Sequence, residues 1–236
     1  MVRPALIRDT ILSIILFLAA FFTGCSGPFH LSDMHSTSTP KPQALDIAAL
    51  AREPVATLAM VTPPAFQGYG PSLSHALSAS LSEVSPPIRE SPVYETMNRL
   101  NEKGLAADYA EMISEYAHSG ILDRKRLKRI GSALGVRYVV QPGIGDFREV
   151  LVDRFQLWGW RLVKARAATL RLWLRLWDAE TGQILWEAAG EGTVTSELLE
   201  DLPTVPLNEI ARRLWSRMIQ DHLLGEKTTF RLFSRD

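Results

Sequence analysis

Cys25 is the residue whose type and position most clearly define a chemistry, because it is the only cysteine of this 236-residue sequence. A single thiol has no disulfide partner and cannot belong to a cysteine metal site, which leaves its thiolate as a nucleophile. The small residues Thr23 and Gly24 precede it and leave the adjoining peptide bond open to a processing enzyme. The other polar groups converge less. His30 and His35 stand in a stretch rich in Ser, Thr and Pro and read as solvated, while His75, His118 and His222 read as surface or capping residues of helices. Glu180 and Glu187 flank a tight turn, where a carboxylate pair is ordinarily solvated. No phosphate loop, dinucleotide fingerprint, metalloprotease helix or nucleophile elbow occurs. The sequence therefore nominates no catalytic residue, no cofactor and no metal ligand.

What precedes Cys25 explains why a thiol stands there. Arg3 and Arg8 open the chain, and an apolar block over 11–22 follows, interrupted only by Ser13. A helix of that length reaches about 18 Å at roughly 1.5 Å per residue, too short for a hydrocarbon core of about 30 Å. The pattern is that of an export signal and not of a spanning helix. Phe22, Thr23, Gly24 and Cys25 together resemble the lipobox of bacterial lipoproteins, which usually has Leu where Phe22 stands. That resemblance implies cleavage before Cys25, acylation of its thiol and a membrane anchor at that residue. Ser26, in place of Asp, implies sorting to the outer membrane of a Gram-negative cell, with the domain in the periplasm.

Charge offers a second candidate site. The whole chain carries 26 basic and 26 acidic residues, which gives no argument for nucleic-acid binding. Locally the signs separate. Over 121–175 there are thirteen basic residues against four acidic ones, and over 178–201 seven acids and no base. Adjacent strands that set these signs against each other would form ordinary surface pairs; a basic surface left open would meet anionic lipid or an acidic partner. Strict alternation over 169–177 points Leu170, Leu172, Leu174 and Leu176 one way and Arg171, Trp173, Arg175 and Trp177 the other. Trp158 and Trp160 bracket Gly159 at the tip of a hairpin. Trp beside Arg is the composition of interface anchors, so Trp173, Trp177, Arg171, Arg175, Trp158 and Trp160 are the candidate partner surface.

Ser/Thr/Pro composition over 26–43 predicts a flexible tether. A strand over 55–61 ends at Pro63 and Pro64, and Leu73, Ala76, Leu77, Leu81 and Val84 follow helical spacing behind Ser72. Further helices are expected over 92–103, behind a capping Ser91, over 106–118 and after Asp123 to Gly135. Strands are expected over 136–141, 169–177 and 183–187, with a turn at 178–182, and a last amphipathic helix over 206–224. The order predicts an α+β fold: a compact α/β sandwich with a mixed or antiparallel sheet, a long hairpin and flanking helices. The boundaries are a signal over 1–24, a lipidated cysteine and tether over 25–52, a domain over 53–225 and a tail over 226–236.

The run Ile130, Gly131, Leu134, Gly135, Val136, Tyr138, Val139, Val140 and Gly143, followed by Asp178, Thr181, Gly182, Ile184 and Trp186, resembles the envelope lipoproteins related to the curli export subunit, the activator of penicillin-binding proteins and the amino-terminal domain of TolB. The resemblance covers about 55–224. It implies a non-catalytic, lipid-anchored periplasmic domain that engages another envelope protein. A subunit of an outer-membrane secretion or pore complex and an envelope enzyme are the alternatives.

Overall fold

A computed structural model describes residues 30–40, 45–155, 162–198 and 207–225. The export signal, Cys25, Trp158 and Trp160 lie outside the described residues.

The helical spacings read from the sequence become buried stripes. Leu73, Ala76, Leu77 and Leu81 form the inner face of helix α2 (Gly70–Glu83), after a short helix α1 (Ile47–Arg52) and a 3-10 turn (Pro64–Tyr69). Helix α3 (Val93–Glu102) has Pro92 at its N-cap position; Ser91, the expected cap, belongs instead to a strand. Helix α4 (Ala106–Ser119) ends at Gly120. Helix α5 (Arg124–Leu134) starts on an Asp123 carboxylate that accepts from the Arg126 N–H at 2.8 Å, and it stops where Gly135 takes a φ of 69°, a left-handed conformation that costs glycine little. Helix α6 (Leu207–Arg217) buries Leu207, Ile210 and Leu214 and widens into a π-helical turn (Met218–Leu224).

The described residues form six strands, β1 (His30–Ser38), β2 (Val55–Thr57), β3 (Glu90–Ser91), β4 (Tyr138–Phe155), β5 (Leu162–Asp178) and β6 (Gln183–Leu198). They lie in the order β1-β6-β5-β4-β2-β3. β1, β6, β5 and β4 are antiparallel neighbours, whereas β2 runs parallel to both β4 and β3. The sheet is therefore mixed, and helices cover both faces. α2, α6 and the π turn close one face over Leu170, Leu172, Leu174, Leu176 and Trp186. α4 and α5 close the other over Val139 and Trp177, with Leu100 of α3.

The tether expectation fails over residues 30–38. Residues His30–Ser38 form an edge strand paired to β6 along its length, with His30 opposite Thr195 and Ser38 opposite Ala188. An edge strand needs few apolar side chains, because the neighbour's backbone supplies its hydrogen bonds. Among its described side chains only Met34 packs on the core. Side chains of α6 and the π turn secure it further: Arg217 donates to the Met34 carbonyl at 2.6 Å, and Ser36 and His222 share a hydrogen bond of 3.0 Å. Thr39 then exchanges hydrogen bonds with the Glu187 backbone at 2.9 and 3.1 Å. Leu45 and Leu50 are buried in the core, so folded structure begins before residue 53.

Candidate functional site

β5 carries Arg171, Trp173, Arg175 and Trp177 of the candidate partner residues, and its two faces meet different helical layers. The leucine face is buried as the alternation predicts, with Leu170, Leu172, Leu174 and Leu176 at most 2% exposed. The opposite face is not open. Trp177 is 2% exposed and stacks edge-to-face on Tyr116 of α4, with ring centroids 6.3 Å apart. It is a core residue and no part of a partner surface. Trp173 is half-covered, its indole lying over Gly143 of β4, where any side chain would collide with the ring.

The arginines between these rings are paired. Register sets Arg171 opposite Glu191 and Arg175 opposite Glu187, and both pairs are salt-bridged. Arg175 also donates to the Tyr116 hydroxyl at 2.6 Å and lies 5.1 Å from the Trp173 ring centre. Lys128 pairs with Glu180, and Arg137 with the buried Asp178 at 3.0 Å. The opposing charge blocks of the sequence are thus set against each other across strands and turns, the arrangement of surface pairs worth about 0 to 1 kcal/mol each. Glu180 and Glu187 do not form a free carboxylate pair.

The histidines are also accounted for locally. His118 is hydrogen-bonded through Nδ1 to the Ser114 carbonyl at 2.7 Å within its own helix, and His222 holds β1. His75 is exposed and lines a cleft that periodicity does not reveal. β2 and β3 are adjacent and parallel; the chain leaves β2 for α2 on one face of the sheet and leaves β3 for α3 on the other. Such a divergence opens a crevice beyond the strand ends. The cleft here has a volume of about 370 Å³ and is lined by Met60, Thr62, Gln67, His75, Ser78 and Tyr94, among others. Tyr94 at its rim is 61% exposed. Nearby, Glu90 of β3 accepts a hydrogen bond from Thr57, and burial pushes its carboxyl above the usual range. On the other side of β2, Tyr109 accepts from the Ala59 N–H at 2.9 Å, and burial pushes its phenol up to about 12, so it serves as a neutral strut. Two- and three-residue parallel strands carry too little alternation to announce this site in the sequence.

A third feature is the free end of the β4–β5–β6 arm. His30 lies opposite Thr195, Thr195 opposite Ala167, and Ala167 opposite Val150. One line across the sheet thus joins the first residue of β1 to Val150 and Leu151, which are 53% and 58% exposed. Beyond that line β4 and β5 continue to their last pair, Phe155 and Leu162. On the leucine face, Phe147 gathers Phe66 and Tyr69 edge-to-face at 6.4 and 5.7 Å, and Leu151 follows it four residues on.

No family model matches the chain, and no curated protein does. Among solved structures it is similar to the PelC dodecamer from Paraburkholderia phytofirmans, at 16% identity and a TM-score of 0.45 over 83% of this chain and 100% of that one. It is also similar to lipoprotein GNA1162 from Neisseria meningitidis (16% identity, TM-score 0.39, 66% and 90% of the two chains). A third is the LpoB C-terminal domain from Salmonella enterica (14% identity, TM-score 0.34, 59% and 81%).

Proposed function

We propose that this chain is a non-catalytic lipoprotein domain of the cell envelope, held on the outer membrane by acyl chains on Cys25 and binding another envelope protein from the periplasmic side. The observation that carries the reading is the spacing between Cys25 and β1. Only four residues, Ser26, Gly27, Pro28 and Phe29, separate the thiol from His30, the first residue of a strand hydrogen-bonded into the sheet. A lipid on that cysteine would hold the folded domain within about 18 Å of the bilayer, since the five steps from Cys25 to His30 span at most about 3.6 Å each. Several acyl chains on one residue make such an anchor effectively permanent.

The partner-binding half rests on surface chemistry. With Trp177 in the core, the remaining candidates are Arg171 and Trp173 at the rim of β5 and the cleft beside Tyr94; Trp158 and Trp160 stay candidates from sequence alone. A membrane-spanning role for the arm is disfavoured by ion pairs on both of its faces, Arg148 with Asp146 and Arg166 with Glu149, each at 2.6 Å. An outward apolar band would exclude such pairs.

Two measurements test the proposal. Cells fed labelled palmitate should label the wild-type chain and not Cys25→Ser; label retained by the variant removes the anchor. A photo-crosslinking residue in place of Tyr94 or Arg171 should give a discrete adduct with another envelope protein in living cells. If neither position gives one, the partner half fails.

A further inference from the structure

We infer that the free end of the β4–β5 arm is a membrane-contact surface, with Val150, Leu151 and Tyr69 resting on the same bilayer that holds Cys25. This rests on the anchored reading above and adds the orientation of the domain. β1 runs away from the arm end, because it is antiparallel to β6, whose partner β5 begins at that end. β1 therefore begins on the arm side, and five steps of at most about 3.6 Å let Cys25 reach no farther than about 18 Å from His30. β4 advances past the line joining His30 to Val150 by five residues, from Val150 to Phe155, or about 17 Å at strand spacing. The reach open to the acyl anchor and the length of the arm beyond Val150 are thus comparable, so an anchored domain can bring the exposed apolar pair to the bilayer.

The composition fits a bilayer better than water. Val150 and Leu151 point to opposite faces of the arm, so neither helical layer can cover both, and each is more than half exposed. Tyr69 is 41% exposed and packs on Phe147, extending the apolar surface along the leucine face, with a phenol suited to the headgroup level. Charge does not drive the contact. Among the described residues of the arm, Arg148, Arg154, Lys164 and Arg166 are matched in number by Asp146, Glu149, Asp153 and Glu197. The contact is apolar and should form on zwitterionic lipid as readily as on anionic lipid.

The lone cysteine makes the test clean, since acylation consumes its thiol and leaves an introduced cysteine as the only reactive one. Leu151→Cys, Val150→Cys and, at the opposite end of the sheet, Ile184→Cys are made in the full chain, processed in cells and labelled with an environment-sensitive fluorophore. The acylated proteins are reconstituted on phosphatidylcholine vesicles with and without spin-labelled lipid. Fluorescence at 151 or 150 should be blue-shifted and quenched at least threefold more strongly than at 184. Protein that floats with the vesicles while 150, 151 and 184 are quenched alike overturns the inference and leaves the anchor standing. Protein that carries no acyl mass and does not float overturns both.

Discussion

Gly143 of β4 sits so close beneath the Trp173 indole of β5 that a Cβ added at 143 would overlap the ring. α4 lies over Trp177, and Gly143 leaves room beneath Trp173. Gly143→Ala should therefore destabilise the domain by about 1 to 3 kcal/mol, the usual cost of overpacking a close contact. Trp173→Leu in the same chain should restore part of that loss. Urea unfolding followed by far-ultraviolet circular dichroism checks both; an unchanged midpoint for Gly143→Ala would mean the indole is not seated there. Glu90 gives a second prediction, of opposite character. Folding raises its pKa through burial, outweighing the hydrogen bonds from Thr57 and Ser78. The folded state then holds the proton more tightly than the unfolded one, so the contribution to stability is complete below about pH 4.5 and is lost as pH rises through the folded value. Between pH 4.5 and 7.5 the wild type should lose more stability than Glu90→Gln, and parallel pH profiles for the two would show that Glu90 is solvated.

Elements with a strong period were legible and those without one were not. α2, α4, α5 and α6 appear where apolar residues recur every three or four positions, and β5 where they alternate. β1 carries no such signal. Its residues are mostly polar, and what holds it lies elsewhere in the chain: the β6 backbone, Arg217 and His222. The parallel pairing of β2 with β3 was hidden for a related reason, since the crossover through α2 fixes it and the strands are too short to show it. The consequence is a different domain boundary. A chain starting at residue 53 loses β1 and the buried Leu45 and Leu50, each worth roughly 1.5 to 3 kcal/mol of apolar burial, and exposes the β6 edge. It should unfold at a lower urea concentration than a chain starting at residue 26 and should self-associate in sedimentation velocity. Equal midpoints and a monomeric short form would assign residues 26–52 to a tether after all.

Under the proposed anchoring, Cys25, the edge strand and the arm would form one mechanical path: a lipid on Cys25 would hold a strand that is built into the sheet, and the attachment would carry orientation as well as proximity. The short leash should therefore be separable from the anchor. Inserting twenty Gly/Ser residues after Gly27 lengthens the connection to about 25 residues, whose root-mean-square span is about 25 to 30 Å and whose contour is far longer. Acylation and flotation with vesicles should be unchanged, because the signal and Cys25 are untouched. The arm, however, is no longer delivered to the bilayer at high effective concentration, and quenching of a fluorophore at position 151 by spin-labelled lipid should fall at least twofold. Quenching that survives the insertion would mean that Val150, Leu151 and Tyr69 hold the membrane by their own affinity, and that the spacing between Cys25 and β1 does not set the orientation.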